Sequence, residues 1–102
     1  MQEKKTFIDL FGKHFVLYPD VWEHIISGHP EMIDKFNRLS TILSDPIYIF
    51  RSKRFYNRHL YYKQLKFKLY FVVVTDVVQN TIKTAYITDR IKEGELIWQK
   101  QE

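Results

Sequence analysis

The chain of 102 residues fits a single domain, 1–102, long enough to enclose one core. Its 45% apolar and 17% aromatic content excludes a disordered polymer, which lacks the rings and branched side chains a core needs. With no cysteine it has neither disulfide nor thiolate metal site, and its net charge of +4 turns attention to polyanionic partners.

The opening Met1-Gln2-Glu3-Lys4-Lys5 leads into a mixed segment without the apolar core of a signal peptide. The longest apolar run, 70–75, is far too short to span a bilayer. The expectation is a soluble, cytoplasmic protein that makes no use of a membrane. Residues 7–10 and 14–18 flank Phe11-Gly12-Lys13 and predict a short hairpin. Pro19-Asp20 then opens a helix whose stripe is Trp22, Ile25 and Ile26, and Ser27-Gly28 stops it. His29-Pro30-Glu31 restarts a helix. Met32, Phe36, Leu39 and Leu43, with Ile33 and Ile42 beside them, predict its buried face, and Ser44-Asp45-Pro46 ends it.

From there the period changes to two. Residues 47–52, 55–63, 67–76 and 81–89 predict four strands rich in β-branched and aromatic residues, joined by connections short enough for an antiparallel meander. Residues 90–101 form a polar end with a last short element around Leu96-Ile97-Trp98. The fold class is therefore α+β: an N-terminal hairpin and two helices packed on a four-stranded antiparallel sheet. Charge is placed unevenly along this order. Between Pro46 and Thr75 stand Arg51, Lys53, Arg54, Arg58, Lys63, Lys66 and Lys68, with no Asp or Glu. Such a block suits a phosphate polymer, because neutralising phosphates releases condensed counterions. The alternative is a solvated sheet face kept soluble by its lysines.

Several chemistries lack their motif. Glu23-His24 and the later His29 do not make a zincin pattern, since a spacing of five turns the second imidazole about 140° around a helix. There is no glycine-rich phosphate loop and no nucleophile elbow, and neither a metal nor a cofactor is expected. What remains is two histidines at a helix junction, a cationic sheet and a hydroxyl-rich last strand. Alternation along 82–88 sends Thr84, Tyr86 and Thr88 to one face, and Lys83, Ala85 and Ile87 to the other. These parts fit cleavage of RNA without a metal: an imidazole takes the 2′-OH proton, cations and hydroxyls hold the phosphorane, and an acid protonates the leaving oxygen.

Three stretches in order carry a resemblance. They are Trp22-Glu23-His24-Ile25-Ile26-Ser27-Gly28-His29-Pro30-Glu31; Asp45-Pro46 leading into Arg58-His59-Leu60-Tyr61-Tyr62-Lys63; and Ile82-Lys83-Thr84-Ala85-Tyr86-Ile87-Thr88 followed by Gly94-Glu95-Leu96-Ile97-Trp98. Together the chain resembles the phage-associated barnase–EndoU–colicin–RelE-like nucleases. The resemblance implies helices packed on a four-stranded antiparallel sheet, and RNA cleavage of the kind found among toxins and effectors. It implies catalytic groups at His24, His29, Arg58, Thr84 and Tyr86, with Arg51 and Arg54 as other candidates for the phosphate-holding cation.

The expected function is a metal-independent endoribonuclease, a toxin or effector held in check by an antitoxin or immunity protein. Arg51, Lys53, Arg54, Lys63 and Thr88 are expected to bind the RNA. Two other readings use the same scaffold: a non-catalytic RNA- or ribosome-binding module, and a protein-interaction domain.

Overall fold

The computed structural model describes residues 3–92 and 94–101. Met1 and Gln2, the start of the stretch weighed as a signal peptide, lie outside the described residues, as do Glu93 and Glu102. Lys5–Ile8 (β1) and His14–Leu17 (β2) pair as the expected hairpin. Asp9 shapes its turn: Oδ1 accepts the Phe11 and Lys13 N–H groups at 2.9 and 2.8 Å, and Gly12 takes the left-handed φ of 81°. The other carboxylate oxygen accepts the buried Tyr61 hydroxyl at 2.6 Å, which fastens the turn to the sheet.

Pro19–Gly28 (α1) begins on its proline and ends on its glycine, with Trp22 and Ile25 buried and Ile26 packed beside them. The long second helix expected from Pro30 does not form. Its place is taken by 3₁₀ turns at Pro30–Met32 and Phe36–Arg38, and only Leu39–Ser44 (α2) is α-helical. Asp34 and Asn37 are weak helix formers, and Lys35 adopts φ −111° and ψ 11°, outside the helical region. Tertiary contacts complete the explanation. The break lets Phe36 reach Trp22 and Phe7, at ring distances of 5.1 and 5.8 Å. It also leaves Ile33 exposed, against the expectation, while Met32, Leu39, Ile42 and Leu43 are fully enclosed.

Tyr48–Ser52 (β3), Arg58–Lys66 (β4), Leu69–Asp76 (β5) and Thr81–Thr88 (β6) form the antiparallel meander. The sheet is nevertheless not four-stranded. Gly94–Gln99 (β7) pairs with β3, and the hairpin joins at the other side through a parallel contact, Val16 opposite Thr81. The order is β1-β2-β6-β5-β4-β3-β7, a seven-stranded mixed sheet. Extended backbone at a sheet edge has N–H and C=O groups that need partners, and these additions supply them.

The helices cover one face, over Phe15, Leu17, Ile49, Tyr61, Phe71, Val73, Ile82 and Ala85. The opposite face has its own apolar cluster of Leu60, Tyr62, Val72, Val74 and Tyr86. Burial on both sides explains the unbroken apolar run Phe71 to Val74 in β5. No described helix is long and apolar enough to cross a membrane.

Candidate functional site

The helix-free face positions the candidate side chains by register. Alternation brings Arg58, Leu60 and Tyr62 of β4 to this face, with Thr84 and Tyr86 of β6. Leu60 stands opposite Val74, and Val74 opposite Thr84, so one row crosses three strands. That row floors a cleft of about 510 Å³. Its walls are Arg58 and Tyr86, the β3–β4 loop with Ser52, Lys53, Arg54 and Phe55, and Lys92 from the segment before β7.

The loop is folded by Ser52, whose Oγ accepts the N–H groups of Arg54 and Phe55 at 3.2 and 3.1 Å. This holds the Phe55 ring beneath two guanidinium groups, with Arg58 Cζ 4.2 Å and Arg54 Cζ 5.3 Å from its centroid. Stacking on a ring orients a guanidinium without satisfying its N–H donors. Arg58 Nε is buried and has no protein partner. Nor has the hydroxyl of Tyr86, a residue only 9% exposed. Burial pushes the Tyr86 phenol up to about 12, so it keeps its proton and acts as a donor at neutral pH. Of the three buried, unpartnered side-chain atoms among the described residues, these two share one cleft; the third, Thr81 Oγ1, begins β6. Unmet buried donors cost about 1–3 kcal/mol each, and both belong to residues that line the same cleft.

The imidazoles arrive from the other side of β6. His29 follows α1, its N–H bonded to the Ile25 carbonyl at 2.7 Å, and Pro30 turns the chain across the strand edge. That edge is open beyond Thr81, and Glu31 covers it: Oε2 accepts the Ile87 N–H at 3.4 Å and lies 3.8 Å from His29 Nδ1. The His29 ring thereby rests against the Tyr86 ring, centroids 5.4 Å apart and tilted by 34°. His24 lies next to it in a hollow of about 360 Å³ with Lys83 and Thr84, and Thr84 lines both this hollow and the cleft. Lys83 sits at a register shift opposite Val74 and Thr75, which returns Ile82 to the helix-side core with Ala85 and Ile87 and leaves Lys83 itself exposed.

No family model, curated protein or solved structure matches the chain. The site stands on its own geometry.

Seven of the ten residues singled out in the sequence gather here: His24, His29, Lys53, Arg54, Arg58, Thr84 and Tyr86. Three do not. Lys63 lies toward the far end of β4, where its Nζ bonds the Asp45 carboxylate at 3.1 Å and carbonyl at 2.9 Å. Thr88 ends β6 in a turn with Arg90, to which its hydroxyl is bonded. Arg51 faces a neighbouring groove and pairs with Glu95 at 3.1 Å. A larger hollow around Asp45, about 700 Å³, has both its lysines engaged, since Lys63 and Lys100 each bind that carboxylate.

Sequence reasoning missed Lys92, whose Nζ is 5.2 Å from the Tyr86 centroid and whose N–H donates to the Tyr62 hydroxyl at 3.0 Å. It also missed Phe55 as a guanidinium platform and Glu31 as a carboxylate beside His29, 3.8 Å from Nδ1. For Phe55 a signal existed, an aromatic between Arg54 and Arg58; for Lys92 none did, because only the course of the chain beyond β6 brings it back.

Proposed function

We propose that the chain is a metal-independent endoribonuclease of the barnase–EndoU–colicin–RelE-like kind, acting on RNA in the cytoplasm and controlled by an inhibitory partner protein. One observation carries this reading: Tyr86 and Arg58, whose hydroxyl and Nε are buried and unpartnered, line one cleft, and an imidazole is packed on the Tyr86 ring.

The chemistry follows from those groups. Arg58, the Tyr86 O–H and Thr84 receive the scissile phosphodiester, with Lys92 and Lys53 adding charge around it. Donors already fixed and desolvated stabilise the extra charge of the phosphorane without reorganising. His29, with the Glu31 carboxylate beside it, takes the proton from the ribose 2′-OH as that oxygen attacks phosphorus. The bond to the 5′ oxygen breaks, and His24 protonates the leaving oxygen. The products carry a 2′,3′-cyclic phosphate and a 5′-hydroxyl.

The test is cleavage of a single-stranded RNA in EDTA, with the product ends identified. His29→Ala is expected to lower the rate by about 10²- to 10⁴-fold, the usual contribution of a positioned acid or base. The double variant with His24→Ala is expected to be inactive while retaining the wild-type circular dichroism spectrum. Undiminished cleavage by the folded double variant rejects the mechanism.

A further inference from the structure

Beside the cleft runs a second groove of about 640 Å³, bounded by Arg51, Ser52, Lys53, Tyr56, Gly94 and Glu95. The two spaces share Ser52 and Lys53, so a chain leaving one enters the other. Tyr56 is 78% exposed, in a loop that its neighbours anchor on both sides. Ser52 fixes the residues before it, Arg58 N–H bonds the Phe55 carbonyl at 2.9 Å, and Asn57 holds Asp76 through its amide at 3.2 Å. Phe55 carries the guanidinium groups on its ring, while Tyr56 has no such cover and is presented to solvent. Ordering this loop is a cost already met in folding, which leaves the ring preorganised for a flat partner.

The charges of the groove point to which part of a nucleic acid that partner is. Glu95 already engages Arg51 at 3.1 Å, which partly neutralises that cation toward a phosphate. A nucleobase suits both: its ring N–H or amino group donates to Glu95, its ring nitrogen or carbonyl accepts from Arg51, and its face stacks on Tyr56. We infer that this groove is a base-stacking subsite for an unpaired nucleobase flanking the scissile phosphate, so that the enzyme selects single-stranded over duplex RNA. This rests on the ribonuclease reading above. In a duplex both faces of a base are already stacked, and Tyr56 has nothing to receive.

The experiment uses the whole chain and a 12-nucleotide 2′-fluoro RNA, which lacks the attacking hydroxyl, with 2-aminopurine placed at each position in turn. Wild type should quench the fluorophore at one position of the single strand, and once the strand is annealed to its complement, addition of the protein should cause no further change. Tyr56→Ala should remove the quench and weaken binding by about 5- to 100-fold, the usual worth of one stacked base, while Tyr56→Phe stays within about twofold. Equal affinity of wild type for single strand and duplex, with Tyr56→Ala unchanged, overturns the subsite and leaves the ribonuclease reading standing. If wild type neither binds the fluorinated strand nor cleaves its unmodified counterpart, both fall.

Discussion

Tyr86 joins an apolar ring to a polar group that the fold leaves unpaired. Its ring belongs to the apolar cluster with Leu60, Tyr62, Val72 and Val74, whereas its hydroxyl is buried without a partner. Removing that hydroxyl relieves an unmet desolvation cost. Tyr86→Phe is therefore expected to leave the fold as stable as wild type or more stable by up to about 1 kcal/mol. On the proposed ribonuclease reading, the same change reduces RNA cleavage about 10- to 100-fold, because a donor to the phosphate is lost. Paired denaturation and rate measurements check this; lower stability with unchanged cleavage would assign the hydroxyl a purely structural role. Which face of β6 presents Thr84 and Tyr86 was legible from alternation alone. The partner of Tyr86 was not: His29 is 57 positions away in the chain, and only the path of the chain around the open edge of β6 brings the rings together.

Among the elements, the central meander was legible because β-branched and aromatic residues recur at period two between short turns. The margins were not. β7 shows only Leu96-Ile97-Trp98, and its place beside β3 depends on pairings between residues over forty positions apart. The second helix misled in the opposite way. Met32, Phe36, Leu39 and Leu43 keep a helical spacing that two 3₁₀ turns and a short α-helix also satisfy, and the reach of Phe36 to Trp22 decides the matter. At Gly94 the backbones of β7 and β3 come so close that an added Cβ would run into the Arg51 carbonyl. Gly94→Ala is expected to cost about 1–3 kcal/mol and to expose the edge of β3, seen as faster hydrogen exchange at Tyr48 to Ser52. Unchanged protection there would show that β7 contributes little to the sheet.

Across the molecule, pH acts on stability through groups that do not line the cleft. Burial, with the charges of Arg51 and Lys13 nearby, holds His59 below its ordinary 6.5, against the pull of Asp9. The unfolded chain then takes up that proton before the folded one does. The stabilisation is complete above pH 6.5 and is lost as pH falls below it through the lower folded value. Asp45, bonded by Lys100 and Lys63, and Asp76, bonded first by the Gln79 N–H, sit below 3.8 and add a separate loss at more acid pH. Melting temperatures from pH 8 to 5 should decline for wild type, and the decline should flatten in His59→Gln. An equal slope in the variant would place the titrating group elsewhere.

The placement of charge is the other property of the whole chain. Lys63 of β4, with Lys100, answers the carboxylate of Asp45, while the guanidinium groups of Arg54 and Arg58 lie on the Phe55 ring in the cleft that Tyr86 also lines. Phosphate affinity should therefore be concentrated in one place and not spread over the basic surface. Nuclear magnetic resonance reads this directly, in a titration of 3′-nucleoside monophosphate followed at the Arg58 Nε–H, the His29 imidazole and the Tyr86 ring. The account predicts that these three signals move together and saturate with one affinity. Shifts distributed over Lys63, Lys66 and Lys68, with those three unmoved, would contradict it.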